Sequence, residues 1–277
     1  MATEKGKKAA LYGCLGCGGF LLLIILLLIG GVGFLSYQGY KFGKNISEVY
    51  SQTAIKYNET NNQFAFNPPE DGAMDAERVN ALLNIRSQLA DFISVELESL
   101  EKTGEEIEKK FEDPGFLSKI HGAQKIADIV HQAAHMASNI GQEHIRLLNF
   151  QTMSAKEYQW ITKTYLGTLS QAADQNIQDA SALWNDYLSK LESSRQKLGD
   201  MNIDTGRHRI SNQDFSPNEL KGRLQDVPFL KENYEILQNT SQQLLTNENL
   251  PLLDFLAIQL DEFINQSIPK AKEESQK

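Results

Sequence analysis

The run "LYGCLGCGGFLLLIILLLIGGVGFLSY", residues 11–37, holds no charged side chain and constrains the chain more than any other stretch. A helix rising about 1.5 Å per residue crosses the hydrocarbon layer with about 20 apolar residues. The run exceeds that length and is too long and uninterrupted for a buried core helix. Four readings compete: a cleaved export signal, a lipid-attachment site, a thiol redox pair and a retained anchor. A cleavable signal needs a shorter core and small residues at its end, and Gly31 and Gly33 imitate that pattern poorly. Lipoprotein processing uses a cysteine after the apolar core, whereas Cys14 and Cys17 precede it. A redox C-x-x-C sits at a helix start in a βαβ setting, and no strand pattern surrounds this one. The retained anchor is the expectation, with the cysteines packed at the membrane edge or acylated.

Orientation follows from the flanks. Lys5, Lys7 and Lys8 favour a cytoplasmic N-terminus, although Lys41 and Lys44 weaken the asymmetry. Tyr37 and Tyr40 suit the far interface. The expected layout is a cytoplasmic tail (1–10), an anchor (11–37), a juxtamembrane helix with a Pro-rich turn (38–74), an extracytoplasmic helical domain (75–266) and a polar tail (267–277). The lipid bilayer is therefore an expected partner. Glycines at both ends of the anchor permit close helix approach, so a protein partner or self-association is expected too.

The net charge is −9, and setting Lys5, Lys7 and Lys8 against Glu4 leaves about −11 beyond the tail. Such a body repels phosphate backbones, so nucleic acid is excluded as a partner. No cysteine follows Cys17, so the body relies on packing rather than disulfides.

Strand signals are sparse, with six valines in the whole chain and no sustained alternation. Helical periodicity is abundant. Val79, Leu82, Leu83, Leu89, Ile93, Leu97 and Leu100 share an arc of roughly 120° on a helix from Asp75 to about Lys110. Asp75 is its expected N-cap, and "NPPEDG" (67–72) before it is a turn. Asp113-Pro114 opens a second helix running to about Phe150. Ser154 and Glu157 have capping-box spacing. Behind them Tyr158, Ile161, Tyr165, Leu169, Ala172, Ala180, Leu183, Tyr187 and Leu191 predict one helix of about 35 residues with a coiled-coil-like seam. Residues 199–216 have loop composition, Ser216-Pro217-x-Glu219 caps a short helix, and two more follow at about 228–246 and 249–266. The fold class expected is all-α: a single N-terminal transmembrane helix followed by a bundle of long antiparallel helices.

Two stretches, "FNPPEDGAM…ERVNALLNIR" (66–86) and "MSAKEYQWI" (153–161), resemble segments of uncharacterised bacterial proteins. In those proteins an N-terminal membrane anchor precedes a Pro-Pro turn, an apolar-Arg helix and a Glu-Tyr-x-Trp helix start. The resemblance implies a bacterial, anchored, helical protein and carries no known activity, so no functional residue follows from it.

Two constellations stand out for chemistry. In "HGAQKIADIVHQAAH" (121–135), His121, Asp128, His131 and His135 fall on one arc of roughly 80°. Two histidines at i and i+4 with a carboxylate three residues earlier can hold a divalent metal such as zinc. A polar flank facing water or another helix explains the same spacing. Arg86 lies near the centre of the Val79–Leu100 stripe, where a guanidinium needs a partner. A buried ion pair with another helix and an anion or partner-binding role both fit it. The acidic stretch from Glu96 to Asp113 reads as a solvated face. G-x-S-x-G, H-E-x-x-H, P-loop and dinucleotide signatures are absent. The expectation is therefore a binding or scaffold protein without catalytic residues or a cofactor, with metal binding by the histidine stripe as the alternative.

Overall fold

The computed structural model describes residues 40–110, 135–136, 138–197, 202–204, 209–211, 216–244, 250–258, 260 and 264. The described chain is all-helical apart from a short two-stranded connector. The helices are α1 (Tyr40–Gln63), α2 (Ala76–Lys110), α3 (138–150), α4 (Ala155–Asp174), α5 (Gln178–Lys197), α6 (Pro217–Leu224), α7 (Lys231–Leu244) and α8 (Leu250–Ile258). Strands β1 (Asn202–Asp204) and β2 (Arg209–Ser211) pair antiparallel, with Ile203 opposite Ile210, inside the segment read as loop. Among the described residues no helix is long and apolar enough to cross a membrane, and the 11–37 run lies outside them.

Local chemistry sets the helix ends. Asp75 Oδ1 accepts from the backbone N–H groups of Glu77 and Arg78 at 2.7 and 3.1 Å, satisfying orphan donors at the start of α2. Ser154 caps α4 by accepting from Glu157 N at 3.0 Å, and Ser216 caps α6 by accepting from Glu219 N at 3.2 Å with Pro217 in the first turn. The Glu157 carboxylate does not return to the Ser154 N–H. It binds Arg78 instead, accepting from Nε at 2.6 Å and Nη2 at 2.8 Å.

The continuous helix expected across 158–191 is two helices. The chain breaks at Asn176, whose φ of 59° is left-handed. Asn176 N–H donates to Ala173 O at 2.9 Å and Ile177 N–H to Ala172 O at 3.1 Å, the paired bonds of a Schellman motif. Asparagine tolerates this backbone better than most residues, and the chain folds back as an αα-hairpin. Apolar spacing on either side of so short a turn mimics an uninterrupted stripe. The turn from α3 to α4 repeats the motif: Thr152 N–H donates to Asn149 O at 3.1 Å and Met153 N–H to Leu148 O at 2.9 Å. Thr152 has a φ of 48°, costly for a β-branched residue. Arg78 clasps this strained turn, donating to Gln151 O at 3.1 Å and Thr152 O at 3.2 Å.

Helix α4 is the axis of the fold: α1, α2, α5, α6, α7 and α8 all pack on it. Its burial therefore extends beyond the apolar seam to Thr162, Thr164, Thr168 and Ser170. On α2, Val79, Leu82, Leu83, Ile85, Leu89 and Ile93 are buried. Each such side chain contributes about 1.5–3 kcal/mol on leaving water. Tyr57 of α1 joins the same core, so packing begins before residue 75.

Candidate functional site: buried polar clusters of the core

The stripe on α2 carries Arg86 into the middle of the fold, where it is 2% exposed. Asp254 of α8, 1% exposed, faces it. Arg86 Nε donates to Oδ1 and Nη2 to Oδ2, both at 2.6 Å, a bidentate pair. Tyr187 of α5 donates its hydroxyl to Asp254 Oδ2 at 3.0 Å. Three helices distant in sequence are thus tied at one point. Burial works against the guanidinium's charge, but Asp254's charge and hydrogen bonds outweigh it and hold Arg86 above its ordinary range. Burial pushes the Asp254 carboxyl up, while Arg86 and the Tyr187 hydroxyl pull it down. The net effect leaves the Asp254 carboxyl above its usual range, and the bidentate geometry is that of a guanidinium–carboxylate pair. Trp184 stacks on Tyr187 with ring centroids 5.5 Å apart and planes 8° from parallel. The Tyr187 phenol is held well above its usual range, first by burial and then by Asp254.

A second cluster joins α1, α3 and α4. The Tyr57 hydroxyl lies 2.9 Å from His144 Nδ1. The His144 ring meets Tyr57 and Tyr158 edge-on, at centroid distances of 5.6 and 4.6 Å. Its Nε2 is buried without a hydrogen-bond partner. Burial lowers the imidazole to about 4, so it is neutral at physiological pH. Burial likewise holds the Tyr57 and Tyr158 phenols protonated far above their ordinary range.

At the surface, α5 and α7 leave an open groove of about 350 Å³. Ala180, Leu183, Tyr234 and Leu237 give it apolar walls, and Asp179 and Asp186 add carboxylates. Asp186 lies 3.6 Å from Lys190.

Of the residues singled out in the sequence, Arg86 sits in the ion pair just described. His121, Asp128 and His131 lie outside the described residues. His135 is helical and exposed. Among the described residues no group of three or more His, Cys, Asp or Glu side chains converges to hold a metal. Asp254, His144, Tyr57 and Trp184 were missed by sequence reasoning. Asp254 has a signal in retrospect, a lone charge inside "LPLLDFLAI". His144 had a fainter one: it falls on the face shared by the buried Ile140, Gly141, Leu147 and Leu148. Comparison of the chain with protein-family models, with curated proteins and with solved structures finds no match.

Proposed function

We propose that the chain is a single-pass, membrane-anchored scaffold or binding protein of the bacterial envelope, with its N-terminus cytoplasmic and its helical body outside the cytoplasm. The observation that carries this reading is the uncharged run over 11–37, followed within three residues by the 24-residue helix α1, which leads into the packed body. The run has the length and composition of a bilayer span, and the lysines before it favour the inside. The body's conspicuous chemistry supports a structural role: the guanidinium, carboxylate and phenol of Arg86, Asp254 and Tyr187 are spent on one another. Binding then falls to the surface, to a protein partner or a second copy of the chain.

Crosslinking in native membranes tests this. The reading expects the full chain to be recovered from the membrane fraction in a discrete higher-mass species, with a partner or with itself. Recovery of the monomer alone overturns it.

A second reading rests on the sequence spacing of His121, Asp128, His131 and His135, which on a helix would set two imidazoles one turn apart with a carboxylate beside them. It makes the protein a metal-handling one, with zinc the chemically apt ion. Stoichiometric zinc retained by the purified full chain, and lost in the His131→Ala variant, would favour it over the scaffold.

A further inference from the structure

The described half of helix α1 is attached to the body differently from α2. Among its described side chains (52–63) the buried ones are Thr53, Ala54, Tyr57, Thr60 and Asn61, where α2 buries leucines and isoleucines. Apolar burial stabilises in proportion to the area removed from water, whereas a neutral hydrogen bond is largely traded against one to water. The described part of the α1 interface therefore leans on a few polar contacts. Asn61 Oδ1 accepts from Lys156 N at 2.9 Å, and Tyr57 meets His144. Gly141 permits the close approach, since a Cβ there would stand 2.8 Å from Thr53 Cγ2.

His144 is the vulnerable member. From α1 it faces Tyr57, from α4 Tyr158, and both phenols stay neutral. On its own helix, Glu143 and Arg146 are paired with each other at 2.6 Å. Burial alone shifts the imidazole, so no described charge compensates a proton placed on it. Protonation would leave an unpaired cation in the interface, and such a charge is costly until water reaches it. Displacing α1 opens the ring to water, because α1 supplies the Tyr57 side of its enclosure.

We propose that α1 is a proton-releasable latch: protonation of His144 frees α1 from α3 and α4 while the rest of the body stays folded. The latch rests on the α1 contacts and not on membrane attachment. The docked imidazole titrates near 4 and a solvated one near 6.5. Because docking lowers the value, the docked state is favoured fully above about pH 6.5, weakens as pH falls, and levels off below about 4. The gap between the two values sets a ceiling of roughly 300-fold on the change in docked-to-free ratio.

The test uses the full chain in lipid nanodiscs, with Cys14 and Cys17 replaced by serine and spin labels at the exposed positions Lys56 of α1 and Asn185 of α5. Electron-spin distance distributions are recorded from neutral pH to about pH 4 alongside far-UV circular dichroism. The latch predicts one distance population at neutral pH and a second, broader one growing below about pH 6.5, with helical signal retained. The paired change Tyr57→Phe and His144→Phe, which keeps the rings and removes the titration, should hold α1 docked throughout. His144→Gln, uncharged at every pH and able to bond Tyr57, serves if the double variant folds poorly. Gly141→Ala should show the second population already at neutral pH. The latch is overturned if the wild-type distribution is unchanged down to pH 4. It is equally overturned if the non-titrating variants release at the same pH, or if helicity is lost in step with the distance.

Discussion

Arg86→Ala lowers the free energy of unfolding by about 3–5 kcal/mol at neutral pH, because it strands the Asp254 carboxylate in the core. Urea titration of the variant beside the wild type measures it. The loss also depends on pH. Without the guanidinium the buried carboxyl rises further, so the folded variant binds a proton that the unfolded chain releases. Folded-state proton uptake stabilises at low pH and is lost as pH climbs, so the deficit is smaller near pH 5 than near pH 8. Replacing the whole unit should behave differently. Arg86→Met with Asp254→Leu and Tyr187→Phe leaves no member of the charged unit without its partner, and the triple variant should match the wild type to within about 1 kcal/mol or exceed it. A triple variant as damaged as Arg86→Ala would mean that the network contributes more than mutual neutralisation.

The second large effect reverses sign with its background. Gly167 lies inside α4, and a Cβ added there would stand 2.4 Å from Val227 Cβ and 2.6 Å from both Val227 Cγ atoms. Backbone must move to admit it, so Gly167→Ala should cost about 1–3 kcal/mol. Alanine is nevertheless the better helix former by about 1 kcal/mol. In a Val227→Gly background, where the obstructing side chain is gone, the same change should stabilise by up to about that amount. Denaturation midpoints of the four proteins in this cycle provide the reading. A cost that persists in the Val227→Gly background would place the obstruction elsewhere.

The sequence revealed most where physics is local. Asp75, Ser154 and Ser216 cap helices where side-chain chemistry demands a cap, and the Val79–Ile93 stripe is buried as its period requires. It misled where a tertiary partner decides. Asn176 breaks a helix that apolar spacing alone would continue, and nothing in that spacing distinguishes one seam from two matched halves. Thr162, Thr164 and Thr168 lie off the apolar seam that the spacing marks, yet neighbours surround α4 and bury them. Glu157 completes its capping box only halfway because Arg78, 79 residues away, competes for the carboxylate. Arg86 was legible as a residue in need of a partner, but the partner's identity depended on packing between helices 168 residues apart.

The central claim, an anchored body outside the cytoplasm, is tested most directly by protease protection. Spheroplasts of a bacterial host expressing the full chain are treated with protease from outside, with and without lysis. The account predicts that the body is degraded in intact spheroplasts while a cytoplasmic control protein survives. A body that stays whole until lysis would contradict it.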